Sequence, residues 1–136
     1  MSSVFAKLNL KDPSEILIVA APSSFEPEIQ ALSGVRILRD ARKAKSVDFA
    51  VVFVTTRAEV DAAMKLIAGK AKGDVVLWFA YPKSTSKRYA SEINRDTGWD
   101  SLNSAGFETV RLVAIDQDWS ALRFRRTAYV GGKNPR

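Results

Sequence analysis

Asp48-Phe49-Ala50-Val51-Val52-Phe53-Val54-Thr55, followed at once by Thr56-Arg57-Ala58-Glu59-Val60, joins a continuous apolar run to a helix start. A run of this length is too short for a helix and reads as a strand buried on both faces. Thr56 and Glu59 stand at capping-box spacing, and Val60, Ala63, Met64 and Ile67 repeat as one helical face. Gly69 or Gly73 closes that helix. A two-faced strand feeding an amphipathic helix belongs to a mainly parallel sheet covered by helices on both sides.

The same grammar extends in both directions. Glu15–Ala21 is a second buried strand ended by Pro22, and Ser23–Leu32 reads as a short helix with Ser23 and Glu26 as its capping box. Val35–Leu38 is a short strand, and residues 39–45 are a basic connection with room for one helical turn. Asp74–Tyr81 is another buried strand, again ended by a proline. Residues 84–104 read as two short helices broken near Asp96-Thr97-Gly98. Thr109–Ile115 and Ala121–Val130 are strands joined by Asp116-Gln117-Asp118-Trp119-Ser120. Five residues are too few for a parallel crossover, so this last pair is antiparallel.

The fold class that follows is a single α/β Rossmann-like three-layer domain over residues 1–130. It has a mostly parallel sheet of about six strands and a C-terminal antiparallel hairpin, with residues 131–136 as a disordered tail. A parallel sheet closed by such a hairpin resembles the class I methyltransferase variant of the Rossmann-like fold. The likeness is one of fold and does not by itself bring an activity.

Composition removes whole classes of chemistry. The 136 residues contain no cysteine and no histidine. That excludes disulfides, iron–sulfur clusters, thiolate nucleophiles, Ser-His-Asp triads and ordinary zinc sites. Asp116 and Asp118 are the only closely spaced acids that suggest a hard-cation site, and a strand-end turn explains them equally well. No metal and no cofactor are expected. Met1-Ser2-Ser3-Val4-Phe5-Ala6-Lys7 lacks a basic stretch followed by an apolar one, so no secretion signal or membrane segment is expected and the protein is read as cytoplasmic. The net charge of +6 favours anionic partners, or serves only solubility.

The loop after the first strand, Ala20-Ala21-Pro22-Ser23-Ser24, carries no glycine, and Pro22 has no amide hydrogen. A nucleotide cradle of standard design needs glycines there. The segment that looks most like a site is Tyr81-Pro82-Lys83-Ser84-Thr85-Ser86-Lys87-Arg88-Tyr89, at the carboxyl end of a central strand, where open α/β sheets hold ligands. Lys83, Ser84, Thr85, Lys87 and Arg88 are its anion-binding candidates. The plainer reading is a strand-to-helix connection capped by Ser84 or Ser86. Asp118, Trp119, Ser120 and Arg123 form a second candidate cluster, with Trp119 either covering the pocket mouth or packing on a helix. Arg123, Arg125 and Arg126 interleave with Phe124 on what reads as an edge strand. Such a strand receives single-stranded nucleic acid, resists aggregation, or pairs with a second copy of the chain.

The strand running into Pro82-Lys83, then Ser91-Glu92-Ile93, a glycine-bounded helix, and Asp118-Trp119-Ser120-Ala121 before Arg123 resemble a family of short uncharacterised bacterial proteins, grouped as a domain of unknown function. The resemblance spans residues 75–126 and implies a bacterial cytoplasmic protein without an established activity. Three functions remain in view. The first is a non-catalytic binding or interaction module for a small anionic ligand or a protein partner. The second is a small S-adenosylmethionine-type transferase with an eroded cofactor loop. The third is a weak nucleic-acid binder.

Overall fold

The computed structural model describes residues 3–11 and 15–130; the expected tail at 131–136 lies outside the described residues. The elements run α1 (Ser3–Lys7), β1 (Glu15–Val19), a 3-10 turn at Ser23–Phe25, α2 (Glu26–Gln30), β2 (Arg36–Leu38) and a 3-10 turn at Ala41–Lys43. They continue with β3 (Val47–Phe53), α3 (Arg57–Ile67), β4 (Ala71–Pro82), α4 (Asp100–Ser104), β5 (Phe107–Ala114), β6 (Trp119–Arg126) and a closing 3-10 turn at Thr127–Tyr129. Among the described residues one six-stranded sheet forms, in the order β2-β1-β3-β4-β6-β5. The first four are parallel neighbours, and β6 runs antiparallel to both β4 and β5. This is a mixed α/β Rossmann-like domain with a terminal antiparallel hairpin.

Alternation along the strands sorts the core into two layers. Ala50, Val52, Leu77, Phe79, Leu122 and Phe124 face α3 and α4, meeting Val60, Met64, Ile67 and Leu102. Phe49, Val51, Phe53, Trp78 and Ala121 face the other way, toward Phe5 and Leu8 at the amino end and Phe25 and Ile29 of the α2 region. The buried Trp78 Nε1 donates to Leu8 O at 2.7 Å, which satisfies an indole inside the apolar layer and fixes α1 against β4. Helix α1 carries no sequence signal beyond its apolar Val4 and Phe5 and the Leu8 that follows it, and the sequence reading does not anticipate it.

Helix α3 starts as its sequence dictates. Thr56 Oγ1 accepts from Glu59 N at 3.1 Å, and Glu59 Oε1 accepts from Thr56 N at 3.2 Å and Thr55 N at 2.7 Å. Those bonds, the Thr55 amide first, hold the Glu59 carboxyl below its ordinary range against a modest burial cost.

Four expectations are corrected. Ser23–Leu32 is a 3-10 turn followed by the short α2, and the capping box of Ser23 with Glu26 does not form. The Glu26 carboxylate is taken instead by Arg39, in two bonds of 2.8 and 2.9 Å. Of the two helices expected over 84–104, only α4 exists; residues 83–99 are irregular. Their polar side chains bond the nearby backbone, as Asn94 Oδ1 does with Asp96 N and Thr97 N. The last strand ends at Arg126, and it is not an edge strand: β6 fills the slot between β4 and β5, leaving β2 and β5 at the edges. An interleaved strand open to nucleic acid or to a second copy is therefore absent at β6.

Thr56→Ala removes one half of the α3 capping box while leaving the buried face intact. Denaturant unfolding should show a loss of about 1 kcal/mol with an unchanged slope.

Candidate functional site

The sheet presents two places where strand ends and loops leave room. One lies at the carboxyl ends of β1 and β3, between the turn after β2 and α3, where the chain's crossovers change direction. The other lies at the carboxyl end of β4, beside the start of β6, under the irregular segment 83–99.

The second is an open cleft of about 780 Å³. Its floor is Tyr81 and Pro82 at the end of β4 and Ser120 of β6; Pro82 pairs with Trp119 and Tyr81 with Ser120. Its rim is the 83–95 segment, including Lys83, Ser84, Thr85 and Arg95. Asp118 anchors that segment. Its backbone carbonyl accepts from Lys83 N at 2.7 Å, and its Oδ1 accepts from Ser86 Oγ at 2.9 Å. Ser86 Oγ in turn accepts from Arg88 N and Tyr89 N, both at 3.2 Å. The plainer sequence reading, a strand-to-helix connection capped by Ser84 or Ser86, is corrected: no helix follows β4 here, and Ser86 Oγ instead fastens an irregular loop. Asp118 is 7% exposed, with the exposed Arg88 guanidinium 4.0 Å from its Oδ2.

The far end of the segment is pinned as well. Glu92 N donates to Thr55 O at 2.9 Å, and Glu92 Oε1 accepts from Arg57 N at 3.0 Å, joining the loop to the start of α3. Trp99 Nε1 donates to Asn94 O at 2.8 Å, and the Trp99 ring stacks edge-on against Tyr81 and Phe79. Gly98 sits at φ +104, and a Cβ there would run into Ile93, so this turn needs glycine.

Tyr81 is buried, and that burial raises its phenol above the ordinary value; Arg95 pulls it back and Asp96 pushes it up. The phenol therefore stays a neutral hydroxyl at physiological pH. Among the described residues, Lys83 Nζ, the Arg95 guanidinium and the hydroxyls of Tyr81, Ser84, Thr85 and Ser120 make no hydrogen bond or ion pair. Two cations and four hydroxyls thus converge on one cleft with their donors free.

The sequence candidates divide accordingly. Lys83, Ser84, Thr85 and Ser120 line the cleft, and Asp118 holds its rim from behind. Lys87 and Arg88 are exposed and do not line it. Trp119 is not a lid. It is 4% exposed and packs in the opposite layer, 5.2 Å from Phe53 and 5.0 Å from Tyr89 between ring centres. Arg123 is three residues beyond Ser120, so it leaves the other face of the sheet. Asp116 forms a turn, its Oδ1 accepting from Asp118 N and Trp119 N at 2.8 and 2.9 Å. Among the described residues no group of three or more acidic side chains is placed to hold a metal ion. No described helix is long and apolar enough to cross a membrane.

Sequence reasoning misses Tyr81 as a hydroxyl donor and Arg95, and it names Glu92 only within the family resemblance. Asn94-Arg95-Asp96-Thr97-Gly98 does carry a turn signature, and reading it as a loop instead of a helix break places Arg95 beside the strand end.

The first place, between β1 and β3, holds a cleft of about 370 Å³ lined by Val19, Ala20, Asp40, Val52, Phe53 and Ala63 among others. Ala20 sits there at φ +60, a conformation that favours glycine. Its polar groups face one another. Besides the Arg39–Glu26 pair, Asp40 is bound by Arg42 through the backbone N–H at 2.9 Å and through Nε and Nη2 at 3.1 and 2.9 Å. The Arg42 guanidinium, then its amide, hold the Asp40 carboxyl down at about 2.

No protein-family model and no curated protein matches the sequence. Solved structures do. A SAM-dependent methyltransferase from Aquifex aeolicus is 15% identical, with 90% of this chain and 87% of that one covered and a TM-score of 0.55. The N-methyltransferase NodS from Bradyrhizobium japonicum WM9 is 15% identical, covering 89% of this chain and 91% of that one, with a TM-score of 0.56. The mitomycin 7-O-methyltransferase MmcR is 12% identical with a TM-score of 0.62, covering 90% of this chain and 52% of that one. At these identities the likeness is one of fold.

Methyltransferases of this fold hold their methyl donor at the β1 end. A cradle of this type brings glycine backbone close to the ligand and offers an acidic side chain about twenty residues on. Here Ala20 puts a Cβ at the left-handed position, Pro22 offers no N–H, and Asp40, at the place of the acid, is already bound to Arg42. These residues do not fit that group.

Asp118→Ala leaves Ser86 Oγ without its acceptor. Unfolding by denaturant should show a loss of about 1–3 kcal/mol, and amide exchange should quicken at residues 84–89 while β1 and β3 stay protected.

Proposed function

We propose that this chain is a non-catalytic binding module for a small organic anion, taken up in the cleft at the carboxyl end of β4. The observation that carries this reading is the set of unpaired donors on one cleft: Lys83, Arg95 and the hydroxyls of Tyr81, Ser84, Thr85 and Ser120. A phosphate or carboxylate group accepts several such bonds at once, and bonds to a charged group are the stronger kind. Tyr81, Pro82, Tyr89 and Ile93 add apolar wall beside the donors, so a ring or short apolar body attached to the anion suits the cleft better than a bare ion.

The binding reading asks for no proton-transfer group, and Lys83 has the charge of an anchor. The transferase reading rests on the fold, which hosts many functions, and the residues at the β1 end do not support it. The nucleic-acid reading loses its platform with β6 enclosed between two strands.

Phenyl phosphate joins one oxyanion to one ring and serves as the probe. Calorimetric titration should give saturable binding to the native chain. Lys83→Ala and Arg95→Ala should each weaken it by about tenfold, the worth of one charge-assisted bond, with unchanged melting temperatures. Equal affinity in both variants would overturn the assignment of this cleft.

A further inference from the structure

The opposite face of the β4-β6-β5 region carries a second group of cations. Arg111 of β5 lies directly across from Arg123 of β6, and Arg123 pairs on its other side with Trp78. Cross-strand partners project from the same face about 5 Å apart, where like charges destabilise the pair. Arg125, two residues on, shares this face but is neutralised by Asp74, with bonds of 2.8 and 2.6 Å. Glu108, opposite Arg125, accepts from Thr127 Oγ1 at 3.2 Å.

Arg111 and Arg123 have no such counterpart. Arg111 is exposed and forms no ion pair among the described residues. Arg123 is half-buried, and its Nε is shielded from solvent with no hydrogen-bond partner. Burial, then the Arg125 and Arg111 guanidiniums, lower Arg123 from its ordinary value, with Asp74 opposing. A buried donor left unpaired beside a like charge is costly, and a bound oxyanion relieves both terms together.

We infer that Arg111 and Arg123 form a site for a tetrahedral oxyanion of the phosphate class, on the sheet face opposite Tyr81 and Ser120. The planar guanidinium matches such an anion through paired N–H donors, and two of them across a strand pair can bridge one phosphate group. The source is either free phosphate or the terminal phosphate of a larger ester. Arg123, grouped with the Asp118 turn by sequence, belongs to this separate face.

The test is a titration of the isotope-labelled chain with inorganic phosphate, following the Nε–Hε resonances of the arginines, with sodium chloride at matched ionic strength as control. Phosphate should move the Arg111 and Arg123 signals saturably, in the native chain and in Lys83→Ala alike. Arg111→Gln, an exposed change on an edge strand, should weaken the response about tenfold. The same titration with phenyl phosphate separates the sources: weaker binding here than for inorganic phosphate marks free phosphate, and equal or tighter binding marks an ester. A response reproduced by chloride, absent altogether, or unaltered in Arg111→Gln would overturn the site.

Discussion

Strand β6 enters the slot between β4 and β5 running against both, with Trp119 opposite Pro82 and Phe124 opposite Leu77. That insertion brings the β5–β6 turn to the carboxyl end of β4. Asp116 closes the turn through its two amide bonds and leaves Asp118 buried where β4 stops. From there Asp118 takes Lys83 N and Ser86 Oγ, which sets the direction of the chain as it leaves the strand. The irregular segment 83–99 can therefore be polar and still fixed in place, with Glu92 and Trp99 tying down its far end.

The two strand-end clefts differ in how their charges are disposed. At the β1 end each cation meets its own acid: Arg39 with Glu26 and Arg42 with Asp40. Such exposed pairs add little stability, but they engage the groups a ligand would need. At the β4 end Lys83 and Arg95 stand beside free hydroxyls with no acid bonded to them. Half-exposed cations cost little to leave unpaired, so this arrangement keeps donors for a guest at small expense in folding. The sheet has a fold similar to that of the methyltransferases named above, and its unpaired donors lie two strands away from the crevice where such a sheet usually holds a ligand.

The strands and α3 follow from local sequence pattern, and the features that do not follow have physical causes. Apolar runs such as Phe49–Val54 and Val75–Ala80 declare their strands because a two-faced buried strand has no polar alternation to hide. The Thr56–Glu59 box declared α3 because both halves of its bond pair are local. Ser23 and Glu26 have the same spacing, yet Arg39, thirteen residues on, wins the carboxylate. Long-range competition of that kind leaves no trace in a local pattern. Strand order was the larger gap. Sequence reading expects β6 last and outermost, whereas hydrogen bonding places β5 outside it, which turns Arg123, Arg125 and Arg126 from a free edge into side chains with distinct partners. Arg95 escapes sequence reading because the pattern over residues 84–104 suggests helices. Asn94, Ser91 and Ser86 instead bond the backbone beside them and hold the segment irregular.

The proposed binding module takes its ligand at the β4 end and not at the β1 end. The most direct measurement is a backbone amide shift map of the labelled chain with S-adenosylmethionine and, separately, with phenyl phosphate. Phenyl phosphate should move the amides of residues 83–95 and Ser120, and S-adenosylmethionine should leave Ala20, Ala21 and residues 39–41 unmoved at saturating concentration. Saturable shifts at Ala20 and Asp40 with S-adenosylmethionine would contradict it and return the site to the β1 end.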